Sequence, residues 1–486
     1  MFKKIKHFLF KNKTTGQTIV KNTFWLTFGE IMGRILRTGV VIYAARVLGA
    51  NGWGVFSYAM SLAAFFTIFS DIGLSAVLIR EGAKNPETRE KYFATTLAIK
   101  LILILVSFLA VMLGAPYFTK IPLSTSLLLF ITLLLLFDSL RGFCVSFFRA
   151  FEKMEMEAFS NILTQGIILI AGVIILKLSP SPENLALTYA VGSATGLTLA
   201  LVSLAPYLKK FWQHFDKKLL RPIFQAAWPF GIGGLLGAIM INTDTVIIGW
   251  FKKATDVGYY SAAQKPILFL YVLPGLIAGS FFPVLAKLAN KDNERFRSTL
   301  EKGLTFVFLL AIPFAIGIIL TSDQIIYLLF GNEYFNKPTI LTLQLLAITL
   351  ITNYPVSLLV NSVFAYDRQK DLIAFWTIGT VGNAIFDLLL IPVWGIAGSA
   401  LATVIVQIIS NGLLWYKMKK INNFGIIKYL GKIILATLIM SGFIVLFRFL
   451  NWPVIINIIV SGGIYLAALV LFKEKTIFNF KTILKS

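Results

Sequence analysis

Apolar runs of about 20 residues recur from Lys21 almost to the C-terminus, separated by short polar segments. A helix of about 20 residues is the length that spans the hydrocarbon core of a bilayer. Hydrophobic residues make up 57% of the 486-residue chain and charged residues only 14%, whereas a soluble domain is about one quarter charged. The pattern predicts an all-α polytopic membrane protein.

The apolar runs predict about fourteen transmembrane helices. Polar and Gly/Pro-rich turn signals at 49–52, 116–122, 179–184 and 392–395 support the division. In chain order we refer to them as predicted spans 1 to 14: 21–47, 53–79, 91–114, 123–149, 157–177, 185–206, 222–250, 256–286, 298–320, 340–366, 372–392, 395–417, 428–449 and 453–472.

Basic residues alternate strongly between the two sets of loops that this division creates. The net charge is +23, and Lys and Arg are concentrated in the segments that share a side with both termini. Cytoplasmic loops carry such an excess, so we expect a multi-pass protein of the cytoplasmic membrane with both termini in the cytoplasm and an uncleaved basic N-terminal tail. The basic loops also attract anionic membrane lipids, and no soluble basic module is present that would bind nucleic acid.

Two short segments recur in the two halves of the chain. Residues 54–59 resemble 258–263, and 150–153 resemble 365–368, at equivalent places in a six-helix period. The repeat predicts two pseudo-symmetric six-helix lobes of parallel orientation, followed by two further helices. The predicted boundaries are a tail at 1–20, lobes at 21–206 and 222–417 joined by a cytoplasmic loop at 207–221, additional helices at 418–472, and a cytoplasmic tail at 473–486.

Charged residues inside predicted spans are costly unless they face a bundle interior or a watery cavity. Span 1 carries the richest set, a polar stripe with helical spacing: Thr23, Thr27, Glu30, Arg34 and Arg37. Glu30 and Arg34 either neutralise each other at i, i+4 or act in a cavity. Arg37 then leaves positive charge near the middle of the membrane.

Other spans carry fewer polar groups: Asp138 and Arg141 on span 4, Asp244 on span 7, Lys265 on span 8, and Asn383 with Asp387 on span 11. Asp138 and Arg141 form either a local i, i+3 ion pair or part of a functional site. Lys265 needs a partner from another helix or from substrate, and Asp244 is one candidate. Trp376, Thr380, Asn383 and Asp387 form a second helical stripe, whereas Lys100 is expected to extend toward the interface.

Enzymatic chemistry is not expected from this chain. Cys144 is its single cysteine, and His7 and His214 are its two histidines, so the sequence predicts no metal site and no disulfide. We find no phosphate-binding loop and no soluble domain that would house a glycosyltransferase. With no catalytic residues or cofactor expected, a pore, a carrier or a scaffold remains.

Several motifs resemble those of the polysaccharide (O-antigen, Wzx-type) flippases. They are Ala45-Arg46-Val47-Leu48-Gly49, Gly52-Trp53-Gly54-Val55-Phe56, Asp71-Ile72-Gly73-Leu74, Phe148-Arg149-Ala150-Phe151-Glu152-Lys153-Met154, Asp256-Val257-Gly258-Tyr259-Tyr260-Ser261-Ala262-Ala263 and Phe282-Pro283-Val284-Leu285-Ala286. This family belongs to the superfamily of multidrug, oligosaccharidyl-lipid and polysaccharide exporters. The resemblance implies two six-helix lobes around a central cavity, and movement of a polyprenyl-pyrophosphate-linked oligosaccharide to the outer leaflet by alternating access.

On that basis the expected cationic groups of the cavity are Arg34, Arg37, Arg141 and Lys265. The expected groups for ion coupling or charge pairing are Glu30, Asp138, Asp244, Asn383 and Asp387. The related lipid II flippases place arginines on helices 1, 2 and 8; this chain matches on helix 1, has Lys265 on helix 8, and has no intramembrane arginine on helix 2.

The expected partners are the lipid-linked oligosaccharide, membrane lipids, and a polysaccharide polymerase with glycosyltransferases. Three alternatives stay open: a multidrug or cation antiporter of the same fold, a lipid II flippase, and a non-transporting scaffold of a glycan-assembly complex.

Overall fold

The protein is described by a computed structural model over residues 15–84, 86–207 and 211–474. Within these ranges every regular element is helical, as the sequence predicts. The helices are α1 Thr15–Thr67, α2 Leu74–Lys84, α3 Arg89–Gly114, α4 Thr125–Ala150, α5 Met154–Leu178, α6 Pro182–Leu204, α7 Leu220–Phe251, α8 Ala254–Leu270, α9 Val272–Leu288, α10 Asn293–Phe330, α11 Lys337–Ala365, α12 Asp371–Thr377, α13 Asn383–Ile421, α14 Ile427–Phe449 and α15 Val454–Leu471.

Eleven helical segments of the described chain are long and apolar enough to cross a membrane, and the bent pair Gly16–Thr67 and Phe69–Lys84 makes a twelfth. Two of these twelve are about twice the length that one crossing needs. Each contains a glycine outside helical geometry, Gly49 (φ 67°, ψ 176°) and Gly395 (φ 60°, ψ −138°). Dividing both segments at these glycines gives the fourteen predicted spans. The predicted loops at 49–52 and 392–395 are therefore kinks.

Predicted spans 2 and 8 were expected to be continuous: span 2 is broken, whereas span 8 crosses as one segment, Ala254–Leu288, with an irregularity at one residue. Span 2 stops at Thr67, passes through a 3₁₀ turn at Ile68–Asp71 and resumes at Leu74. The irregularity in span 8 is at Tyr271, between α8 and α9. The break in span 2 contains Ser70, Asp71 and Gly73, but these residues stand inside an otherwise apolar run that predicted one continuous span.

The chain divides into two compact units, Met1–Gly258 and Tyr259–Ser486. In the first unit α1 packs along α5 and against α7, while α4 packs along α6. The short helix α2 packs against α3, α4 and α7. The predicted lobe boundaries stay a prediction, and their parts at 1–14, 208–210 and 475–486 lie outside the described residues.

In the second unit α11 packs against α9, α10 and α13, and α14 and α15 pack on each other and on α10. The last two helices, α14 and α15, pack against α10 through an apolar cluster and also make polar contacts with it. The Tyr465 hydroxyl donates to the Leu309 carbonyl at 2.8 Å, and Arg448 pairs with Asp323 at 2.8 Å. The two added helices are thus an integral part of the second unit.

The internal repeat is visible in two helix ends. α4 and α11 are each followed by a turn in which a non-glycine residue has positive φ, Glu152 and Asp367, both at 56°. Such residues are uncommon. In both turns the next backbone N–H donates to a carbonyl five residues earlier, Lys153 to Phe148 at 3.0 Å and Arg368 to Val363 at 3.1 Å. This is the Schellman end of a helix; it also follows α14 and α15, at Asn451 and Lys473, and after α4 and α11 it falls at equivalent places of the predicted repeat.

Candidate functional site

A polar cavity of about 540 Å³ lies within the first unit. Its lining residues come from α1, from α2 and the break before it, from α4 and from α5. They are Glu30, Arg37, Asp71, Ser75, Ser139, Arg141, Gly142, Val145, Ser146, Arg149, Glu157 and Asn161. Three residues that the sequence predicts for the site, Glu30, Arg37 and Arg141, therefore line one cavity.

The orientation of α1 follows from its two faces. Gly29 and Gly33 are buried against Ala158 and Asn161 of α5, so closely that a β-carbon at Gly29 would lie 2.7 Å from the Ala158 α-carbon. Arg37, one turn after Gly33, also lies beside α5, where it contacts Gln165. Glu30 and Arg34 form the expected i, i+4 ion pair at 2.6 Å. Glu30 lines the cavity and Arg34 does not, so Arg34 affects the site by neutralising Glu30.

Two further ion pairs form the wall made by α4 and α5. Arg141, 9% exposed, donates Nη2 and Nε to Asp138 Oδ1 at 2.6 and 3.1 Å. The local pair considered from the sequence is thus present, and Arg141 lines the cavity as well. Arg149 at the end of α4 binds both carboxylate oxygens of Glu157 on α5, at 2.5 and 2.7 Å.

Lys100 does not extend to the membrane interface, so this prediction is wrong. Its side chain is fully buried near the middle of α3 and donates to Asp71 Oδ2 at 2.8 Å. An ammonium group in an apolar interior is stable only with a close anionic partner. Asp71, which lines the cavity, is that partner.

Arg37 differs from the other cations at the cavity. Each of Arg34, Lys100, Arg141 and Arg149 is paired with one carboxylate. Arg37 donates to a neutral group, the side-chain oxygen of the buried Gln165, at 3.5 Å. Within the described residues no carboxylate lies at ion-pair distance from Arg37. The group as a whole therefore carries one positive charge more than its acids neutralise.

The remaining predicted site residues are outside this cavity. Asp244 is buried in α7 at 4% exposure. Lys265, Asn383 and Asp387 belong to the second unit, where Asn383 donates to Asp387 at 3.1 Å and both are buried. A π-helical turn at Ile378–Gly382 precedes Asn383 and interrupts the helical spacing of the predicted stripe. A role of these residues in ion coupling stays a prediction.

Sequence reasoning missed five residues that complete the site: Asp71, Lys100, Arg149, Glu157 and Gln165. Asp71 and Arg149 stood inside motifs noted from the sequence, but were read only as family signatures or loop charge. Gln165 was a polar residue within an apolar span, which was a usable signal. In the described part of the chain no cluster of three or more His, Cys, Asp or Glu is arranged to hold a metal ion.

Apolar helices that enclose a charged cavity define a polytopic membrane protein with a polar site inside its helical bundle. The chain belongs to the family described as polysaccharide biosynthesis protein, whose model matches residues 19–289. This range contains the whole cavity and reaches the end of α9.

Two relatives and one solved structure show how far the similarity extends. A probable low-salt glycan biosynthesis flippase of Haloferax volcanii is 24% identical over 89% of this chain and 90% of its own. A putative O-antigen transporter of Shigella flexneri is 25% identical over 65% of this chain and 78% of its own. The inward closed structure of a lipid II flippase superposes with a TM-score of 0.76, at 20% identity, covering 93% of this chain and 99% of that one. The last comparison shows the same fold.

Proposed function

We propose that this protein is a flippase that moves a polyprenyl-pyrophosphate-linked oligosaccharide, the repeat unit of a surface polysaccharide, across the cytoplasmic membrane. Movement is by alternating access of the cavity to the two sides. Two relatives, a probable glycan biosynthesis flippase and a putative O-antigen transporter, support this class of substrate. We further propose that both termini are cytoplasmic. We also propose that glycosyltransferases and a polysaccharide polymerase are partners that act on the same lipid-linked oligosaccharide.

The observation that carries the proposal is the surplus positive charge on Arg37. A pyrophosphate group cannot enter hydrocarbon unless its charge is compensated. A guanidinium group offers planar, paired donors that match phosphate oxygens. Arg37 supplies this group in a cavity where the neighbouring cations already have carboxylate partners.

The paired charges suit the sugar portion of the same substrate. Ion pairs give the cavity polar walls without adding net charge, and Ser146 and Asn161 add neutral hydrogen-bonding groups. Sugar hydroxyls both donate and accept hydrogen bonds, so a wall of mixed donors and acceptors is complementary to them. The cavity volume, about 540 Å³, lies within the usual range for small-molecule sites, about 300–1,000 Å³.

The same charge balance argues against two of the alternatives, the cation antiporter and the scaffold. A cavity for lipophilic cations should carry surplus acid, and here the surplus is basic. A scaffold that transports nothing has no need of buried charges around a cavity, because each one lowers stability unless it is paired.

The direct test uses the purified full-length protein in liposomes with a polyprenyl pyrophosphate that carries a fluorescent disaccharide. Arg37→Ala should lower transport of this lipid about tenfold or more, the effect of losing a hydrogen bond to a charged group. Arg37→Lys should retain part of the activity, and Arg80→Ala, which removes a paired arginine outside the cavity, should retain all of it. Equal transport by Arg37→Ala and the unaltered protein would overturn the proposal.

A further inference from the structure

The break in predicted span 2 lies at the wall of the cavity. The segments on its two sides, Gly16–Thr67 and Phe69–Lys84, are bent by 48°, and Gly73 adopts φ +88°, which favours glycine. Asp71 and Ser75 flank this glycine and both line the cavity. The geometry of the break therefore determines where the side chains of Asp71 and Ser75 lie in the cavity wall.

The Asp71 carboxylate holds the break together. Its Oδ1 accepts a hydrogen bond from the Ser75 backbone N–H at 3.2 Å, which satisfies an amide of the first turn of α2. Its Oδ2 accepts from the Ser75 hydroxyl and from Lys100 Nζ, the latter at 2.8 Å. Lys100 is fully buried, whereas 28% of the Asp71 side chain is exposed. The pair thus has one member in the protein interior and one at the cavity.

The flanking elements are anchored independently. Leu74 and Val77 of α2 pack with Ile99 of α3 and with Ile223 and Ala227 of α7. On the other side of the break, the hydroxyls of Ser70 and Ser139 lie 2.8 Å apart. Ser139 is on α4, next to Asp138 and two residues before Arg141, so the break is also linked to the helix that carries cavity charges.

In the second unit, the irregularity at Tyr271 of span 8 is surrounded by hydrogen bonds between neutral groups. There the Tyr354 hydroxyl donates to the Leu270 carbonyl at 3.0 Å, and the Tyr271 and Thr349 hydroxyls are hydrogen bonded. Among the described residues, the break in span 2 is the only one at which two helices that together form a candidate span are bent by more than 40° to each other. A buried ion pair is often no more stabilising than apolar groups of the same size, so stability alone does not account for Lys100 at this break.

We propose that Lys100 is a positioning residue for transport, and this rests on the proposed function. Its pair with Asp71 fixes the break of span 2 and neutralises the one carboxylate that the break presents to the cavity. A pyrophosphate entering the cavity then meets a compensated Asp71 in place of a repelling anion. Rearrangement of the same break accompanies the change of access.

The two parts of this role predict different kinetic effects. Lys100→Met leaves Asp71 negative, and we expect the KM for the fluorescent polyprenyl-pyrophosphate disaccharide to rise about tenfold, the factor that about 1.4 kcal/mol of repulsion gives. Asp71→Asn combined with Lys100→Met removes both charges. We expect this double variant to have a KM close to that of the unaltered protein but a maximal rate lowered about tenfold, because the break is no longer held.

A second buried lysine supplies the control. Lys21 is 1% exposed and pairs with Glu155 at 2.9 Å in the same unit, and neither residue lines the cavity. Lys21→Met combined with Glu155→Gln should leave both KM and maximal rate nearly unchanged at equal membrane abundance. If the double variant at Asp71 and Lys100 matches this control in both parameters, the pair is purely structural and the proposal is wrong.

A measurement without substrate separates this proposal from the proposed function. In a Cys144→Ala, Ser146→Cys background the only thiol lines the cavity. Loss of both Asp71 and Lys100 charges should change its rate of modification by a membrane-impermeant maleimide, and loss of the Lys21 and Glu155 charges should not. An unchanged rate would contradict the positioning role. If the unaltered protein moves no fluorescent lipid while the labelling rate does change, the proposed function fails and the positioning role of the pair in the fold remains.

Discussion

The two units bury polar groups of different kinds. In the first unit an ion pair joins Lys100, fully buried near the middle of α3, to Asp71 in the helix break, and a more exposed pair joins Glu30 to Arg34 within α1. In the described part of the second unit the buried carboxylate of Asp387 accepts from the neutral Asn383, and an ion pair such as Arg295 with Asp292 is exposed. The contact between α11 and α13 is made by neutral groups: Thr352 donates to Gln407 at 2.9 Å, and the Asn411 side-chain amide donates to the Thr352 carbonyl at 3.0 Å.

This difference shows that a repeated fold does not require a repeated chemistry. Each unit has a helix that ends in the same kind of turn, at Glu152 in the first unit and at Asp367 in the second. Neutral hydrogen bonds suffice to join helices in a low-dielectric interior, whereas buried charges add a desolvation cost. The charges in the first unit are thus better explained by a polar ligand than by the stability of the fold.

The largest difference in stability between the two units should come from replacing a tightly packed glycine in the first unit and a loosely packed glycine in the second. A β-carbon at Gly196 of α6 would lie 2.0 Å from the Thr164 hydroxyl and 3.0 Å from Arg141 Cδ, whereas nothing lies within 4 Å of one at Gly412 of α13. Gly196→Leu should destabilise the first unit by about 1–3 kcal/mol or more through overpacking and displace Arg141. Gly412→Leu should be neutral or slightly stabilising. Thermal unfolding in detergent measures both, and equal effects would remove the contrast.

A difference of intermediate size, in transport activity, should come from the same Gln→Leu substitution made once in each unit. Gln165→Leu removes the group that holds Arg37, so transport should fall several-fold while stability falls by about 1 kcal/mol. Gln407→Leu removes the bond to Thr352, and here we expect a similar loss of stability with normal transport. Unfolding and transport are measured on the same preparations. A transport defect in Gln407→Leu alone would reverse our assignment of the functional unit.

The smallest effect is expected at exposed pairs. The Arg295 side chain is 81% exposed and lies 3.3 Å from Asp292. Arg295→Ala should change the free energy of unfolding by less than about 0.5 kcal/mol, because solvent screens such pairs, and it should leave transport unaffected. A larger change would mean that the helix ends of the second unit carry more of the function than the comparison suggests.

Much of the fold could be predicted from the sequence. The fourteen spans were recognisable because each must present about 20 apolar residues to lipid. The polar stripe on α1 was recognisable because residues at i, i+4 and i+7 share a helix face. For the same reason the pairs Glu30–Arg34 and Asp138–Arg141, each within one turn, were considered correctly.

The partners that come from distant parts of the chain were not predictable in this way. Lys100 and Asp71 are 29 positions apart, and Arg37 and Gln165 are 128 apart. Helical periodicity indicates which side of a helix is polar, but not which neighbouring helix faces it. Lys100 was misassigned for this reason: its sequence neighbours are apolar, and its anion lies in the break of another span.

The sequence by itself determined that the chain is a bundle of membrane-spanning helices, and which side chains share a face of each one. These properties depend on local hydropathy and on the helical period. Only the tertiary structure decided which charges neutralise each other and where span 2 breaks, and that no carboxylate of the described residues lies at ion-pair distance from Arg37. Electrostatic pairing depends on separations of a few ångströms between different helices, and packing sets those separations.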